Sequence, residues 1–130
     1  SYDIISKMQQ IEERTAQNSD ITLCVALSYG GRQEIVAASK RIATLVQNGE
    51  LNIKDIDEKK FSDMLYTKDI PDPDLLIRTS GEKRISNFLL WQLSYSEFYF
   101  SDTLWPDFSK QELVDIIDNY KKRERRYGKS

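Results

Sequence analysis

The sequence predicts an α/β fold in which a parallel sheet is flanked by helices. Two apolar, β-favouring runs, Ile21 to Leu27 and Leu75 to Ile77, are separated by a longer stretch with apolar residues at helical spacing. The first run is nearly continuous, as in a strand that helices cover on both faces. At 130 residues, the chain has about the length of one domain but is short for a complete α/β enzyme. We therefore expect one domain or part of one.

The first element is a helix, Tyr2 to Gln17, whose apolar residues recur three and four positions apart. Only Ser1 precedes it, which leaves no room for a preceding loop, so we expect the chain to begin inside a larger domain. After the strand Ile21 to Leu27, the glycine-containing turn Ser28 to Arg32 leads into a second helix. The expected inner face of that helix consists of Ile35, Val36, Ser39, Ile42, Ala43 and Val46.

The remaining elements are marked by their caps. Asn48-Gly49 suits the end of the second helix, where a left-handed residue is common. Asp57 is the expected N-cap of a short helix, Glu58 to Leu65, and Ser109 or its neighbour is the expected N-cap of a final helix. Between them, Glu97 to Phe100 is expected to form another strand. The buried stripe of the final helix is expected to comprise Leu113, Ile116, Ile117 and Tyr120.

Composition excludes several classes of function. Charged residues make up 31% of the chain, but the net charge is only −2, which argues against sequence-independent nucleic-acid binding. The absence of histidine excludes Ser-His-Asp and Cys-His catalysis and imidazole ligation of zinc. The composition is compatible with a magnesium site, because Mg²⁺ prefers oxygen ligands and needs only one or two carboxylates plus substrate phosphates.

The single cysteine and the absence of long apolar runs give two further expectations. The single cysteine, Cys24, lies within an apolar run and is expected to be a buried core thiol. No apolar run approaches the roughly 20 residues that span a bilayer, and the N-terminus lacks the layout of a signal peptide. A cytoplasmic protein is therefore expected.

The eleven residues from Arg78 to Phe88 are expected to bind an anion. Asn87 to Ser94 has helical spacing, which makes Ser86 the expected N-cap of a helix. A helix start presents unpaired N–H groups and a partial positive charge, and Arg78, Arg84 and the Ser86 hydroxyl would add donors around one point. The alternative is an ordinary capped helix with two surface arginines.

Three other features have open alternatives. Loops at the carboxyl ends of parallel strands form ligand sites, so Arg32 is expected beside the Arg78 loop, unless its turn is a plain one that leaves Arg32 in solvent. Glu97 lies in an apolar run and needs a partner, either a bound Mg²⁺ or an arginine. An aromatic cluster is either core, a subunit interface or a lipid-chain groove; it contains Phe88, Trp91, Tyr95, Trp105 and Phe108.

The motif Arg-Thr-Ser-Gly-Glu-x-Arg-x-Ser-Asn-Phe at Arg78 to Phe88, followed by Glu97 to Phe100, resembles the signature of cis-prenyltransferases, in particular bacterial undecaprenyl diphosphate synthases. The resemblance extends upstream to Ser28 to Arg32. Downstream it includes Leu104 to Phe108 and the basic segment Arg123 to Gly128. It therefore covers essentially the full chain.

The resemblance implies an activity, which is cis-prenyl chain elongation. In this reaction, isopentenyl diphosphate condenses with an allylic diphosphate, which is expected to be farnesyl diphosphate. The product is a polyprenyl diphosphate of the kind used as a cell-wall lipid carrier.

The resemblance also implies roles for individual residues. A diphosphate-binding set would hold isopentenyl diphosphate, and it consists of Arg78, Arg84, Ile85 and Ser86. Glu97 would bind Mg²⁺. Glu82 is expected to orient the arginines. Asn87 and Arg32 are expected to be further supporting residues of the diphosphate site.

The same resemblance implies a homodimer that contacts the membrane peripherally when product is released. Arg126 and Gly128 resemble the terminal Arg-x-Gly motif that reaches the diphosphate site of the partner subunit. The alternative interpretation is that this basic tail is a solvated helix end. The two interpretations differ in whether the tail contributes to a binding site.

One departure from the family is large. The Asp-Gly-Asn-x-Arg-Trp motif, which supplies the family's essential aspartate, does not occur in this sequence. We therefore expect residues 1–130 to be the C-terminal part of a single cis-prenyltransferase domain, inactive alone and without a catalytic residue of its own. A non-catalytic partner subunit and a small diphosphate-binding module are the alternatives. The intact block from Arg78 to Phe88 argues against the first of these.

Overall fold

A computed structural model describes residues 2–123, with side chains from residue 4 onward. Its helices are α1 (Tyr2–Thr15), α2 (Gly31–Gln47), α3 (Glu58–Ser62) and α4 (Lys110–Lys122), and its strands are β1 (Leu75–Arg78) and β2 (Glu97–Phe100). Short 3₁₀ turns lie at Ile53–Asp55, Gln92–Tyr95 and Trp105–Asp107. Within this range, no helix combines the length and the apolar character needed to cross a bilayer.

The strands β1 and β2 pair in parallel, as the sequence predicts for this α/β fold. Leu75 faces Glu97 and Arg78 faces Phe100. Arg78 therefore lies at the carboxyl end of the sheet, where parallel sheets present their ligand sites. Glu97 lies at the opposite end, about 10 Å away along the strand direction.

The apolar segment Ile21 to Leu27 is not a strand, contrary to the prediction. Within residues 2–123, the sheet contains β1 and β2 alone, and Ile21 and Leu23 are each 85% exposed. A strand needs neighbours for its N–H and C=O groups, and β1 and β2 pair with each other rather than with this segment. Cys24 is exposed, so the prediction of a buried core thiol is also wrong.

The predicted helix ends are largely observed. Asn48 is the C-cap of α2, and Gly49 follows with a φ of 75°, which glycine adopts at little cost. Asp57 caps α3, its side chain accepting a hydrogen bond of 2.7 Å from the Lys60 N–H. The helix α3 ends at Ser62, three residues earlier than predicted, because the chain continues there in irregular turns.

The buried faces of α2 and α4 differ in part from the prediction. The buried residues of α2 are Gly31, Glu34, Ala38 and Ile42. Three of its predicted inner positions are exposed, namely Val36, Ser39 and Ala43. On α4 only Ile116 is fully buried, and Leu113 is 38% exposed. The orientation of α2 follows from Glu34, whose buried hydrogen bonds fix that side of the helix against the rest of the protein.

The N-cap of α4 makes a first testable prediction. The Ser109 hydroxyl accepts a hydrogen bond of 3.1 Å from the Glu112 N–H. Replacing Ser109 by alanine removes this bond and should lower the free energy of unfolding by about 1 kcal/mol, measured by urea denaturation. The control is Ser39→Ala, because the Ser39 hydroxyl donates to a carbonyl inside α2 and caps nothing. Equal losses in the two variants would contradict the capping role.

Candidate active site

The loop after β1 first runs alongside the segment that follows β2. The Ser80 N–H donates to the Thr103 carbonyl at 2.8 Å, and the Gly81 N–H donates to the Ser101 carbonyl at 2.9 Å. Both Ser80 and Gly81 have a left-handed backbone, with φ of 71° and 70°. These two residues turn the chain, so that the following residues fold back over the carboxyl end of β1.

The side chain of Arg78 organises this returning loop. Its Nη1 atom donates to the Arg84 carbonyl oxygen and to the Ser86 hydroxyl oxygen at 3.0 Å. The three residues predicted to surround an anion are thus brought together at the carboxyl end of β1. Arg78 is half-buried, whereas Arg84 and Ser86 are exposed, so the cluster opens to solvent.

The guanidinium group of Arg84 is paired with the carboxylate of Glu82. The two side chains are 64% and 42% exposed. An exposed pair of this kind contributes only about 0 to 1 kcal/mol. The pair holds the Arg84 side chain at the loop surface. That Glu82 orients Arg84 for a ligand stays a prediction.

The predicted helix at Asn87 to Ser94 is not formed, and only a short 3₁₀ turn overlaps this range. Ser86 has a φ of 46°, Asn87 of 63° and Leu89 of 43°. All three lie in the left-handed region, which a right-handed helix start cannot use. Ser86 is therefore no N-cap, and its hydroxyl binds Arg78 instead.

Asn87 joins the Arg78 loop to the start of α2. Its carbonyl oxygen accepts from the Gly31 N–H at 2.7 Å, and its side-chain Oδ1 accepts from the Arg32 N–H at 2.8 Å. Its Nδ2 donates to Gln33 Oε1 at 3.1 Å. The Arg32 turn therefore lies beside the Arg78 loop, as the sequence predicted. The helix start nearest the cluster belongs to α2, not to the loop itself.

Gly31 allows this close approach. A Cβ atom at this position would lie 2.8 Å from the Leu90 Cγ atom and 3.2 Å from the Asn87 carbonyl oxygen. Contacts as short as the first require the backbone or a neighbour to move, at a cost in stability. The glycine at the first position of α2 thus serves packing between the two loops.

Glu34 is a buried carboxylate that the sequence pattern of α2 did not predict. It is 1% exposed, and its Oε2 accepts from the Tyr29 hydroxyl at 2.5 Å and from Gln92 Nε2 at 3.2 Å. Its Oε1 accepts from the Tyr66 N–H at 2.8 Å. It shares its face of α2 with the buried Ala38 and Ile42, but a lone glutamate on a helix is usually exposed, so the sequence carried no signal for its burial.

This network also sets the ionisation of Tyr29. Burial, together with the hydrogen bond to the Glu34 carboxylate and its negative charge, raises the pKa of Tyr29 above its ordinary value. A phenol is already protonated near neutral pH, and the raised pKa extends this protonated, donating form into alkaline solution. The turn before α2 is thereby fixed to the helix by a side-chain bond as well as by the backbone.

Glu97 has the arginine partner, one of its two predicted alternatives. Its Oε2 accepts from Arg123 Nη1 at 2.8 Å. Across residues 2–123, no group of three or more His, Cys, Asp or Glu residues could hold a metal ion. Glu97 can supply one oxygen ligand to Mg²⁺, but it lies at the end of the sheet opposite to Arg78. Arg126 and Gly128, the predicted tail residues, lie outside the described residues.

Several aromatic side chains of the predicted cluster are on the surface. Trp105 is 73% exposed and Tyr95 is 80% exposed. Trp105 stacks on Phe108 with ring centroids 6.1 Å apart. Trp91, by contrast, is held by a hydrogen bond of 2.9 Å from its Nε1 to the Ser62 hydroxyl. The half-buried Trp91 thus differs from the exposed Tyr95 and Trp105.

Comparisons with known proteins identify the family of this chain. The family model for undecaprenyl diphosphate synthases, Prenyltransf, matches residues 1–128. The chain belongs to this prenyltransferase family. A ditrans,polycis-undecaprenyl-diphosphate synthase from Micrococcus luteus, specific for (2E,6E)-farnesyl diphosphate, is 50% identical over 119 residues, which are 92% of this chain and 48% of that protein. A tritrans,polycis-undecaprenyl-diphosphate synthase from Thermoplasma acidophilum, specific for geranylgeranyl diphosphate, is 53% identical over 119 residues, covering 92% and 46%.

The fold of this prenyltransferase chain also matches solved structures. Lavandulyl diphosphate synthase from Lavandula x intermedia, in complex with dimethylallyl diphosphate, gives a TM-score of 0.93 at 40% identity. The match covers 99% of this chain and 56% of the plant enzyme. The prenyltransferase chain thus spans about half the length of the curated relatives it matches.

Proposed function

We propose that this chain forms the isopentenyl diphosphate side of a cis-prenyltransferase that elongates an allylic diphosphate. One observation supports this most strongly. The Arg78 guanidinium group draws Arg84 and Ser86 to one point at the carboxyl end of β1, beside the Arg32 turn. These contacts place the Arg78 guanidinium group, the Ser86 hydroxyl and the backbone of Arg84 at one exposed point, in a member of a diphosphate synthase family.

The proposed reaction forms a carbon–carbon bond between isopentenyl diphosphate and the allylic carbon that bears the diphosphate. The allylic diphosphate leaves with its bonding electrons, and the isopentenyl unit loses a proton to restore a double bond. The diphosphate of isopentenyl diphosphate stays in the product. Arg78, Arg84 and Ser86, with the backbone of Ile85, would hold it, since guanidinium groups bind phosphate oxygens in bidentate fashion. The tail from Arg126 to Gly128 would complete the site from the partner subunit.

Magnesium is the proposed cofactor, with Glu97 as one ligand. Mg²⁺ is usually held by one or two carboxylates together with substrate phosphates, so a single protein carboxylate suits it. A bound Mg²⁺ would neutralise charge on the leaving diphosphate. Glu97 would first have to exchange its ion pair with Arg123, which is 2.8 Å away.

A homodimer is proposed for two reasons. Glu97 lies at the end of the sheet opposite to Arg78, so it could approach an anion bound at such a cluster more easily on a second chain. The exposed aromatic side chains Tyr95 and Trp105 also suit a subunit interface. We place the enzyme in the cytoplasm, with peripheral membrane contact when the apolar product is released.

Farnesyl diphosphate is the proposed starter. The two synthases compared above use farnesyl and geranylgeranyl diphosphate and are about equally similar to this chain, so similarity alone does not choose between them. A competition assay with both starters would decide. Preferential extension of geranylgeranyl diphosphate would contradict the farnesyl assignment and leave the reaction type intact.

The function is tested by supplying the part of a relative's length that this chain does not span. The chain is joined to the amino-terminal half of the Micrococcus luteus synthase and incubated with labelled isopentenyl diphosphate, farnesyl diphosphate and magnesium. We expect labelled polyprenyl product from the joined protein and none from the 130-residue chain alone. A joined protein that melts cooperatively but makes no product would contradict the proposal, provided that the parent synthase is active in the same assay.

A further inference from the structure

We propose that Asn87 is a positioning residue that caps α2 from another segment and thereby fixes Arg32 next to the Arg78 cluster for diphosphate binding. The inference rests on the proposed function, because it concerns how the same site is assembled. Asn87 is more than fifty residues away from the start of α2 in sequence, yet it contacts three consecutive residues there, Gly31, Arg32 and Gln33.

The start of α2 lacks a side-chain cap of its own. Its N-cap residue is Gly30, which has no side chain to accept a hydrogen bond. The first N–H groups of a helix have no partner within the helix. Asn87 supplies acceptors to two of them, its carbonyl to Gly31 and its Oδ1 to Arg32. From a distant segment, it therefore does for α2 what local N-cap side chains do for α3 and α4.

The backbone of Asn87 suits this role. Its φ of 63° is left-handed, a conformation that asparagine tolerates better than most residues other than glycine. In this conformation, both its carbonyl and its side chain reach α2. The preceding residue, Ser86, is bound by the Arg78 guanidinium group at 3.0 Å. A continuous series of contacts thus leads from the Arg78 guanidinium group through Ser86 and Asn87 to the backbone N–H of Arg32.

The connection predicts that diphosphate affinity depends on Asn87 through Arg32. Asn87→Gly is the cleanest deletion, because glycine keeps the left-handed backbone and the carbonyl while removing the side chain. Asn87→Asp retains an oxygen that can accept from the Arg32 N–H. Gln33→Ala is the matched control, because it removes the neighbouring hydrogen bond and leaves the bond to Arg32 in place.

The first experiment measures amide hydrogen exchange on the joined protein, which contains both halves of the fold. In Asn87→Gly, the Arg32 amide should exchange about tenfold faster, as expected for the loss of one hydrogen bond. The Ile116 amide in α4 reports overall stability and should not change. Asn87→Asp and Gln33→Ala should keep the Arg32 amide protected. Unchanged exchange in Asn87→Gly would overturn the inference, whatever the chain's function.

The second experiment measures binding of isopentenyl diphosphate to the joined protein by calorimetry. It tests the part of the inference that concerns diphosphate affinity. Arg32→Ala should weaken binding about tenfold in the wild-type background but less than about twofold in Asn87→Gly, because a misplaced Arg32 has little left to lose. Equal effects in both backgrounds would overturn the inference and leave the proposed function standing. If the joined protein does not bind isopentenyl diphosphate at all, the proposed function fails, and the inference fails with it.

Discussion

Replacing Glu34 by alanine should lower the free energy of unfolding by about 3 to 5 kcal/mol, because it removes the acceptor at the centre of a partly buried hydrogen-bond network. The Tyr29 hydroxyl and the Tyr66 N–H lose their acceptor, and the Gln92 side-chain amide keeps only its bond to Thr67. A small domain has only about 5 to 15 kcal/mol of stability. The loss is measured by urea denaturation followed by circular dichroism.

Two variants separate the causes of this loss. Glu12→Ala removes an exposed glutamate from α1 and should change stability by less than about 0.5 kcal/mol. Glu34→Gln keeps the shape and one acceptor oxygen but removes the charge, so its effect should lie between the two. A loss below about 1 kcal/mol in Glu34→Ala would show that the network is dispensable, since one net hydrogen bond contributes about that much.

Replacing Arg78 by methionine should weaken isopentenyl diphosphate binding at least about 100-fold, which corresponds to about 2.7 kcal/mol. The variant removes a guanidinium group from the cluster. It also removes the two hydrogen bonds that hold Arg84 and Ser86 in place. Charge-assisted hydrogen bonds contribute about 1.5 to 3 kcal/mol each, so the expected loss is within their range. Calorimetric titration of the joined protein with isopentenyl diphosphate measures this loss of affinity.

Arg41→Met is the matched control for Arg78→Met. The Arg41 guanidinium group also donates to a backbone carbonyl, that of Met64, at 2.7 Å, and it lies 5.3 Å from the centre of the Tyr66 ring. Its position in α2 is about 15 Å along the helix from Gly31. Its replacement should lower stability but change the affinity less than about twofold, because it lies outside the cluster. Equal losses of affinity in both variants would contradict the assignment of Arg78.

The sequence predicted those parts of the fold that local chemistry determines. The caps Asp57 and Ser109 are observed because a short polar side chain directly before a helix can accept a hydrogen bond from a backbone N–H of that same helix. The strands β1 and β2 are also observed, because their β-favouring side chains are adjacent in the sheet. Arg78, Ser86 and the backbone of Arg84 are brought together as predicted, but the Arg84 guanidinium group is paired with Glu82, and binding of an anion by the three side chains stays a prediction.

The failures come from tertiary contacts that no local pattern reports. The spacing of Asn87 to Ser94 is helical, but Asn87 binds the start of α2 and the preceding Ser86 binds the Arg78 side chain, so no helix starts there. The run Ile21 to Leu27 has the composition of a buried strand, but composition does not supply the neighbouring strands. Glu34 was missed because a single carboxylate on a helix is usually exposed, and its burial depends on donors from distant segments.

The exposed run from Ile21 to Leu27 has a practical consequence for handling the chain. It contains seven consecutive residues without a charge or a proline, and four of its side chains, Ile21, Leu23, Val25 and Leu27, are at least 60% exposed. Such segments stack readily into cross-β assemblies when nothing covers them. Concentrated solutions of the 130-residue chain should therefore bind amyloid dyes, and a lysine in place of Leu23 should delay that assembly.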